Sequence, residues 1–355
     1  MVRLELELNR ASHIITQELF DLKPGEIFII TADTESDSRV VEATAGAAFT
    51  LGAKPMVILV AAPREVGKAA DHFWPTPSLI GALREAHAWV EFNGKNLLYS
   101  TAYDIALREN KRLRYLCLSG MNIDMMVRCI GQVDYQTLKE FMEKIAALTR
   151  EAKHVRVTTP AGGDVEFRMP KTSGGEPDPT HPYTARAGYA NTPGSHMMGG
   201  QIGGAPDLTS INGTIVFDGS VYPPCGMLEE PVVLTVIEGT IVKVEGGKQA
   251  MDFDSWLKSF NHPQMLRFAH FNYGFNPGAK LTGNVIEDER VWGCTQWGIG
   301  NIDARLIRPE GIPAPSHTDG ICLNSSVWLD EEPIMEKGKM VRPDLIELAK
   351  KLGKY

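Results

Sequence analysis

The sequence predicts an α/β domain followed by an α+β domain, and three observations predict it. Residues 1–152 alternate apolar runs of strand length with segments whose apolar residues recur at helical spacing. Near residue 153 this alternation gives way to short apolar strands separated by Gly-containing turns. A chain of 355 residues with 43% hydrophobic and 23% charged side chains is also long enough for two cores. We expect a three-layer domain over 1–152 and a mainly β domain over 153–355.

The amino-terminal half shows four strands and three helices in alternation. Its apolar runs of strand length are EIFIITAD (26–33), KPMVILVAA (54–62), AWVEFNG (88–94) and RLRYLCLSG (112–120). Helical spacing marks the segments between them, at 38–53, 77–86 and 100–110. This βαβαβαβ order predicts a doubly wound, mostly parallel sheet with helices on both faces, closed by an amphipathic helix over 135–152. No G-x-G-x-x-G follows the first strand, so nucleotide binding has little support.

The second half is predicted to be largely antiparallel. A hairpin is expected over 154–170, with further strands in 213–222 and 231–247 and helices near 251–260 and 343–353. The intervening segment 171–210 is rich in Gly and Pro. Because a connection of this length is either disordered or functional, its aromatic, His and Arg residues favour a long loop that covers a site.

Composition excludes several classes of partner. The chain has 36 basic and 44 acidic residues, a formal charge of −8 and no basic block, so neither nucleic acid nor an anionic membrane is expected. It lacks an apolar run of membrane-spanning length, and its start, MVRLELELNR, lacks the apolar core of a signal peptide, which favours a cytoplasmic protein. Five scattered cysteines without a C-x-x-C pair indicate reduced thiols.

The stretch PAPSHTDG (313–320) places His317 and Asp319 two residues apart. In an extended segment these side chains project from the same face, as a metal ion requires, although an isolated H-x-D is more often part of a polar loop. His270 and Glu289 lie within the preceding fifty residues, each flanked by aromatic residues. Two imidazoles and a carboxylate form the facial triad of non-haem Fe(II) sites, and an extra carboxylate would also suit zinc or a pair of divalent ions for hydrolysis. Spacing alone does not choose between them.

Three runs carry a family resemblance: FAHFNYGFNPGAKLTGN, EDERVWGCTQWGIGN and PSHTDGICLNSSVWLDEEP. They resemble the superfamily shared by thermophilic-type metallo-aminopeptidases and 2,5-dihydroxypyridine 5,6-dioxygenase. The dioxygenase branch implies one iron held by His270, His317 and Asp319. The aminopeptidase branch implies a glutamate in place of His270, another near Glu289 and a histidine where Gln296 stands. Because an amide binds metal poorly, the resemblance favours a mononuclear Fe(II) centre in the second domain over a Zn, Co or Mn cluster.

The resemblance and the residue chemistry together assign roles to the remaining candidates. His196 matches a histidine that the family uses near its substrate and is expected to act as acid and base, while Tyr99 takes the place of a first-domain histidine. Glu289 is a third catalytic candidate, and Arg186 is expected to neutralise a substrate carboxylate. Flat apolar side chains suit an aromatic ligand, so the expected pocket walls are Phe271, Tyr273, Trp292 and Trp297.

The expected activity is therefore that of an Fe(II)-dependent, extradiol-type ring-cleaving dioxygenase. Its partners would be O₂ and a hydroxylated pyridine or related aromatic. The alternative is a metallo-aminopeptidase or other Zn-, Co- or Mn-dependent hydrolase, and a third reading is a non-catalytic protein that kept the fold. The resemblance also implies a homo-oligomer.

Overall fold

In the computed structural model, which describes residues 4–355, helices and strands alternate in the first part of the chain and strands dominate the second. The helices are α1 (Glu5–His13), α2 (Ser38–Thr50), α3 (Thr76–Arg84), α4 (Thr101–Glu109), α5 (Ile123–Met126), α6 (Tyr135–Glu151), α7 (Lys248–Ser259), α8 (Val285–Asp288) and α9 (Pro343–Lys351). None of the described helices is long and apolar enough to cross a membrane.

The strands fall into three sheets. In chain order they are β1 (Ile27–Asp33), β2 (Lys54–Val60), β3 (Ala88–Glu91), β4 (Arg114–Cys117), β5 (His154–Thr158), β6 (Asp164–Arg168), β7 (Thr184–Arg186), β8 (Gly194–Met197), β9 (Gln201–Gly204), β10 (Asn212–Phe217), β11 (Ser220–Tyr222), β12 (Gly226–Met227), β13 (Val232–Ile237), β14 (Thr240–Glu245), β15 (Phe268–Gly274), β16 (Cys294–Ile302), β17 (Ile312–Cys322), β18 (Ser326–Leu329), β19 (Glu332–Glu336) and β20 (Lys339–Met340). The predicted mixture of a parallel sheet with larger antiparallel sheets is confirmed.

The chain forms two compact units. The first comprises the chain up to Val133 together with Arg186–Gly199, and the second comprises Asp134–Ala185 together with Gly200–Tyr355. The segment predicted as one long loop, 171–210, thus contributes to both units, and it contains the short strands β7, β8 and β9. Its backbone obtains hydrogen bonds by joining existing sheets, which a polar segment can do without a strong apolar pattern.

The first unit is built on a parallel sheet of order β2-β1-β3-β4-β8. The central strands are buried, and the Trp89 indole donates a hydrogen bond of 2.9 Å to the Thr31 hydroxyl between β3 and β1. Helix α2 begins where the Asp37 side chain accepts from the backbone of Arg39, and α4 begins where Ser100 accepts from Tyr103. Such side-chain caps satisfy amides that have no partner inside the helix.

A buried carboxylate lies at the carboxyl end of β3. Glu91 accepts hydrogen bonds from the Tyr115 hydroxyl at 2.5 Å, the Ser119 hydroxyl at 3.1 Å and the backbone amide of Leu97. Burial raises the pKa of Glu91 to about 7, although these donors act in the opposite direction. The group therefore loses its proton near neutrality.

The second unit contains two antiparallel sheets. Their strand orders are β14-β13-β10-β6-β5-β18-β19-β20 and β12-β11-β17-β16-β15-β9-β7. Side chains from both sheets form part of the core: the Phe167 ring lies 4.9 Å from that of Phe271 and 5.6 Å from that of Trp297. One face of the seven-stranded sheet is therefore packed against the other sheet, and polar residues occupy its opposite face.

Helix α1 (Glu5–His13) was not predicted from the sequence, which gave no helix or strand before residue 26. The start of the chain alternates apolar and acidic residues, and alternation with a period of two is not a helical signal. In the structure Leu8 is buried while Leu6 is 86% exposed, so only one side of the helix contributes to the core.

Candidate metal centre

The centre is built on three neighbouring antiparallel strands, β15, β16 and β17. Their register aligns His270 with Gly298 and Gly298 with Asp319, while His317 lies opposite Gly300. Residues directly opposite each other in an antiparallel pair point to the same face of the sheet, as do residues two apart in one strand. His270, His317 and Asp319 therefore share one face.

A glycine in the middle strand makes this convergence possible. A Cβ atom at Gly298 would lie 2.2 Å from Nε2 of His270, far closer than a carbon and a nitrogen can approach without bonding. The His270 imidazole thus lies directly over the backbone of β16. The absence of a side chain at this position allows the ring to reach the other two groups.

Three side-chain atoms form a nearly equilateral triangle. Nε2 of His270 lies 3.2 Å from Nε2 of His317 and 3.2 Å from Oδ1 of Asp319, and the distance from Nε2 of His317 to Oδ1 of Asp319 is 3.3 Å. Atoms at these separations can all lie about 2.1 Å from one point, the usual distance from a divalent ion to an imidazole nitrogen. Among the residues that the structure describes, these three are the group whose ligand atoms converge in this way.

A hydrogen bond to the backbone orients the imidazole ring of His317. Its Nδ1 donates to the backbone carbonyl of Asn301 at 2.8 Å. Because Nδ1 keeps its proton in this bond, Nε2, the atom that faces the triangle, offers a lone pair to an ion once any proton that it shares with Asp319 has been displaced.

The electrostatics of the triangle favour an anionic carboxylate. Burial by itself raises the pKa of Asp319, but the adjacent His317 and the hydrogen bonds from both imidazoles hold it well below its usual range. Burial lowers the pKa of His317, and the attraction and hydrogen bond of Asp319 raise it overall. A divalent ion binds the ionised form of a carboxylate, which Asp319 already has, and it displaces any proton on the imidazole nitrogens that face it. The three groups therefore fit a cation.

This donor set indicates a particular type of centre. Two imidazole nitrogens and one carboxylate oxygen on a single side of an ion leave its other coordination positions open, which is typical of non-haem Fe(II) sites. A structural zinc site, in contrast, is usually closed by four protein ligands.

Gln296 is a site residue that the sequence reasoning considered only as a missing ligand. Its Nε2 donates to Oδ1 of Asp319 at 2.5 Å. Its Oε1 accepts from Asn272 at 2.7 Å and from Gln201 at 2.8 Å. Gln296 lies two residues before Gly298, so the period of two places it on the same face.

Glu289, a predicted catalytic residue, is held inside this polar network. Its Oε2 accepts from Nη1 of Arg290 at 2.8 Å and from Gln201 at 2.9 Å, and its Oε1 accepts from Gln296 at 3.3 Å. The Arg290 side chain is fully buried. Glu289 is therefore an ion-paired carboxylate linked to Asp319 through Gln296.

For three of the four aromatic residues predicted to form pocket walls, the structure corrects the prediction. Phe271, Tyr273 and Trp297 are fully buried and alternate with His270 and Gly298, so they face the opposite side of the sheet. The hydroxyl of Tyr273 lies 3.2 Å from that of Thr149, within the same core.

Trp292, the fourth aromatic candidate, is half-buried and contacts other aromatic rings of the second unit. Its ring stacks on Phe141 of α6, with centroids 5.1 Å apart, and contacts Phe275 at 5.3 Å. The strand alternation that turns Phe271, Tyr273 and Trp297 away from the triad does not apply to Trp292, which lies outside the strands. A residue adjacent to a ligand in a strand necessarily points away from the ligand.

Tyr222 is a residue of this face that the sequence reasoning missed. It lies opposite Asp319 in the pairing of β11 with β17, and 37% of its surface is exposed. Pro223, which follows Tyr222 in the chain, is also held against β17, because its carbonyl accepts a hydrogen bond of 2.5 Å from the Thr318 hydroxyl. Tyr222 extends the cross-strand row that contains Asp319, Gly298 and His270.

The remaining predicted site residues lie in the first unit. His196, in β8, is half-buried and its Nε2 donates to the carbonyl of Thr192 at 2.8 Å. Burial lowers the pKa of His196, although this hydrogen bond raises it. Tyr99 precedes α4 with a φ of 66° and is 46% exposed. Arg186 ends β7 and is half-buried.

Comparison with known proteins adds an independent observation. The model of the 2,5-dihydroxypyridine 5,6-dioxygenase family matches residues 14–342. A 2,5-dihydroxypyridine 5,6-dioxygenase of Pseudomonas putida KT2440 is 24% identical over 333 residues, which cover 87% of this chain and 89% of that protein.

Two solved structures share the fold. The 2,5-dihydroxypyridine dioxygenase of Pseudomonas putida KT2440 aligns with a TM-score of 0.77 at 20% identity, covering 98% of this chain and 100% of that one. AmpT from Thermus thermophilus aligns with a TM-score of 0.68 at 15% identity, covering 96% of this chain and 100% of that one.

Proposed function

From the premise that this chain belongs to the 2,5-dihydroxypyridine 5,6-dioxygenase family, we propose that it is a ring-cleaving dioxygenase with a mononuclear Fe(II) centre. We assign the ion to His270, His317 and Asp319. The observation that carries this assignment is the triangle of ligand atoms, with sides of 3.2, 3.2 and 3.3 Å. The substrate class is a hydroxylated pyridine or a related aromatic, opened by an extradiol-type cleavage.

The protein side chains contribute geometry and proton transfer to the reaction. When bound, the iron supplies the O₂ chemistry and the Lewis acidity that amino-acid side chains lack. The carbonyl of Asn301 orients the His317 ring, and Gln296 orients the Asp319 carboxylate. Loss of a residue that orients a ligand in this way typically weakens metal binding about 10–100-fold.

His196 is our candidate for proton transfer with the substrate. Its lowered pKa favours the neutral imidazole at neutral pH, and the hydrogen bond from Nε2 to Thr192 assigns the lone pair to Nδ1. Such a nitrogen accepts a phenolic proton and returns it to the opened product.

Substrate binding is assigned to polar and aromatic groups that are at least partly exposed. We propose that Tyr99 and Arg186 bind the substrate through its hydroxyl and a carboxylate, respectively. Tyr222 is the better candidate for a ring contact than the buried aromatics, because it lies on the same face as Asp319 and is partly exposed. Glu289 is assigned a structural role instead, since both of its oxygens accept hydrogen bonds within the network.

The hydrolase alternative has weaker support. A pair of ions needs additional anionic or imidazole ligands. Next to Asp319 the network instead provides the amide of Gln296 and, beyond it, Glu289 paired with Arg290. The fold itself does not discriminate, because both the dioxygenase and AmpT share it.

An oxygen electrode tests the proposal. Protein purified without metal is reconstituted anaerobically with Fe(II) and mixed with 2,5-dihydroxypyridine, catechol or gentisate. We expect substrate-dependent consumption of one O₂ per ring, with loss of the aromatic absorbance. His154→Ala, which removes a surface imidazole paired with Glu166, serves as the control and should behave like the wild type. Release of amino acids from peptides by Zn-, Co- or Mn-loaded protein, without O₂ uptake, would support the hydrolase.

A further inference from the structure

A buried positive charge lies close to the candidate centre. The Arg290 guanidinium is fully buried, and its Nη1 donates to Oε2 of Glu289 at 2.8 Å and to the carbonyl of Ile286 at 2.7 Å. An ion pair taken out of water is stable only when its remaining hydrogen-bonding groups are also satisfied. The second oxygen of Glu289 meets this condition through Gln296.

Gln296 connects two carboxylates through one amide nitrogen. Nε2 carries two hydrogens and lies 2.5 Å from Oδ1 of Asp319 and 3.3 Å from Oε1 of Glu289. A neutral donor thus separates two anions that would otherwise repel each other. A cation between them would have to displace this amide.

The orientation of the Gln296 amide is determined by its other end. Oε1 accepts from the amide nitrogens of Asn272 at 2.7 Å and Gln201 at 2.8 Å. If the amide were rotated, its nitrogen would face two donors and its oxygen would face two carboxylates. All four contacts would then be unfavourable, so the network permits one orientation.

We infer that Arg290, Glu289 and Gln296 restrict this centre to one ion and position Asp319 for it. Arg290 supplies the positive charge that Glu289 would otherwise obtain from a second cation. Gln296 fixes the carboxylate of Asp319 and occupies the space between the two acids. The inference rests on the proposed function only in requiring an ion at the triad, and it makes these three positioning residues rather than catalytic ones.

The first test changes the number of ions. Replacing Arg290 by Met and Gln296 by Glu leaves three carboxylates without a guanidinium, and a second divalent ion then restores the net charge of the wild-type centre. Equilibrium dialysis against Mn(II), followed by elemental analysis, should give one ion per chain for the wild type and two for R290M/Q296E. Two ions in the wild type, or one in a folded double variant, would overturn the inference.

The second test measures positioning and does not depend on the double variant being folded. Gln296→Leu removes the amide at similar volume, and we expect it to weaken Mn(II) binding about 10–100-fold, the usual effect of losing an outer partner of a metal ligand. Gln249→Leu is the matched control, because that amide accepts from the backbone nitrogen of Glu229 and donates to the backbone carbonyl of Met227. Unchanged affinity in Gln296→Leu would overturn the positioning role.

The outcomes separate this inference from the proposed function. One ion per chain, with weaker binding in Gln296→Leu but no O₂ uptake on any hydroxylated ring, keeps the inference and rejects the dioxygenase. O₂ uptake by a protein that binds two ions keeps the dioxygenase and rejects the inference. A wild-type chain that binds no divalent ion rejects both.

Discussion

Glu91 in the first unit and Asp319 in the second are both buried carboxylates, and their surroundings affect them in opposite ways. Glu91 accepts hydrogen bonds from neutral groups, two hydroxyls and a backbone amide, and burial raises its pKa to about 7. Asp319 is bonded by two imidazoles and an amide. Burial also raises the pKa of Asp319, but the imidazoles more than reverse that effect and hold it well below its usual range.

The difference teaches that burial alone does not decide whether a carboxyl group is charged. Neutral donors stabilise the anion less than burial destabilises it, whereas adjacent imidazoles reverse the balance. A carboxylate that stays anionic at every physiological pH is suited to hold a cation. One that titrates near neutrality instead makes the stability of its own unit depend on pH.

The largest expected effect comes from removing the charge of Asp319. Asp319→Asn keeps the shape of the side chain but removes an anionic ligand. We expect affinity for Fe(II) or Mn(II) to fall at least about 1,000-fold, since loss of an outer partner alone costs 10–100-fold. Calorimetric titration measures this, and Glu91→Gln should leave the affinity unchanged. Equal losses in the two variants would remove the distinction between the carboxylates.

The next effect concerns Glu91 and pH. Its pKa is raised from 4.5 to about 7 on folding, so the folded chain binds the extra proton between these values. This contribution to stability is complete below pH 4.5 and is lost as pH rises through 7, a difference of about 3 kcal/mol. Urea unfolding between pH 5 and pH 8 should show the decline, and Glu91→Gln should reduce its slope. Glu85→Gln, at an exposed position, is the control, and a slope that Glu91→Gln leaves intact would assign the decline to other groups.

A substitution at Gly298 tests whether the ligands around Asp319 depend on the close approach of His270 to β16. In Gly298→Ala the new Cβ would lie 2.2 Å from Nε2 of His270, so the imidazole must move. We expect metal affinity to fall about 10–100-fold, comparable to losing a group that orients a ligand. At Gly46, within α2, a Cβ meets nothing within 4 Å. Gly46→Ala should therefore leave metal binding unchanged and stabilise the helix by roughly 0.5–1 kcal/mol. An intact affinity in Gly298→Ala would contradict the close approach of His270.

The smallest expected effect concerns Tyr222, the exposed neighbour of Asp319. Tyr222→Leu removes the ring, and a lost aromatic contact of about 1 kcal/mol corresponds to a roughly fivefold rise in KM for a ring substrate. Tyr222→Phe keeps the ring and should retain most of the affinity. Steady-state O₂ uptake gives KM, and metal content should equal that of the wild type in both variants. A loss of metal in Tyr222→Phe would make Tyr222 part of the ion site instead.

Much of the architecture could be predicted because it depends on local periodicity. The parallel strands of the first unit and the shared face of His317 and Asp319 both follow from the spacing of residues. The same rule, applied to the strand that contains His270, would have placed Phe271 and Tyr273 on the opposite face. For Phe271, Tyr273 and Trp297 the pocket-wall prediction failed because proximity in sequence was treated as proximity in space.

Other features depend on pairings that a single sequence does not contain. The contacts of Gln296 with Asn272 and Gln201 require the register of β15, β16 and β9. Strand β8, with the sequence GSHM, has no apolar alternation and becomes a strand only by adding to β4. Both features are set by long-range hydrogen bonding, which local patterns do not report.

The central claim is that one ion bridges His270, His317 and Asp319, and anomalous diffraction at the iron edge tests it most directly. Crystals grown anaerobically with Fe(II) should show one peak per chain, about 2.1 Å from Nε2 of His270, Nε2 of His317 and Oδ1 of Asp319. A second peak between Asp319 and Glu289, or a peak that fails to contact all three residues, would contradict the claim.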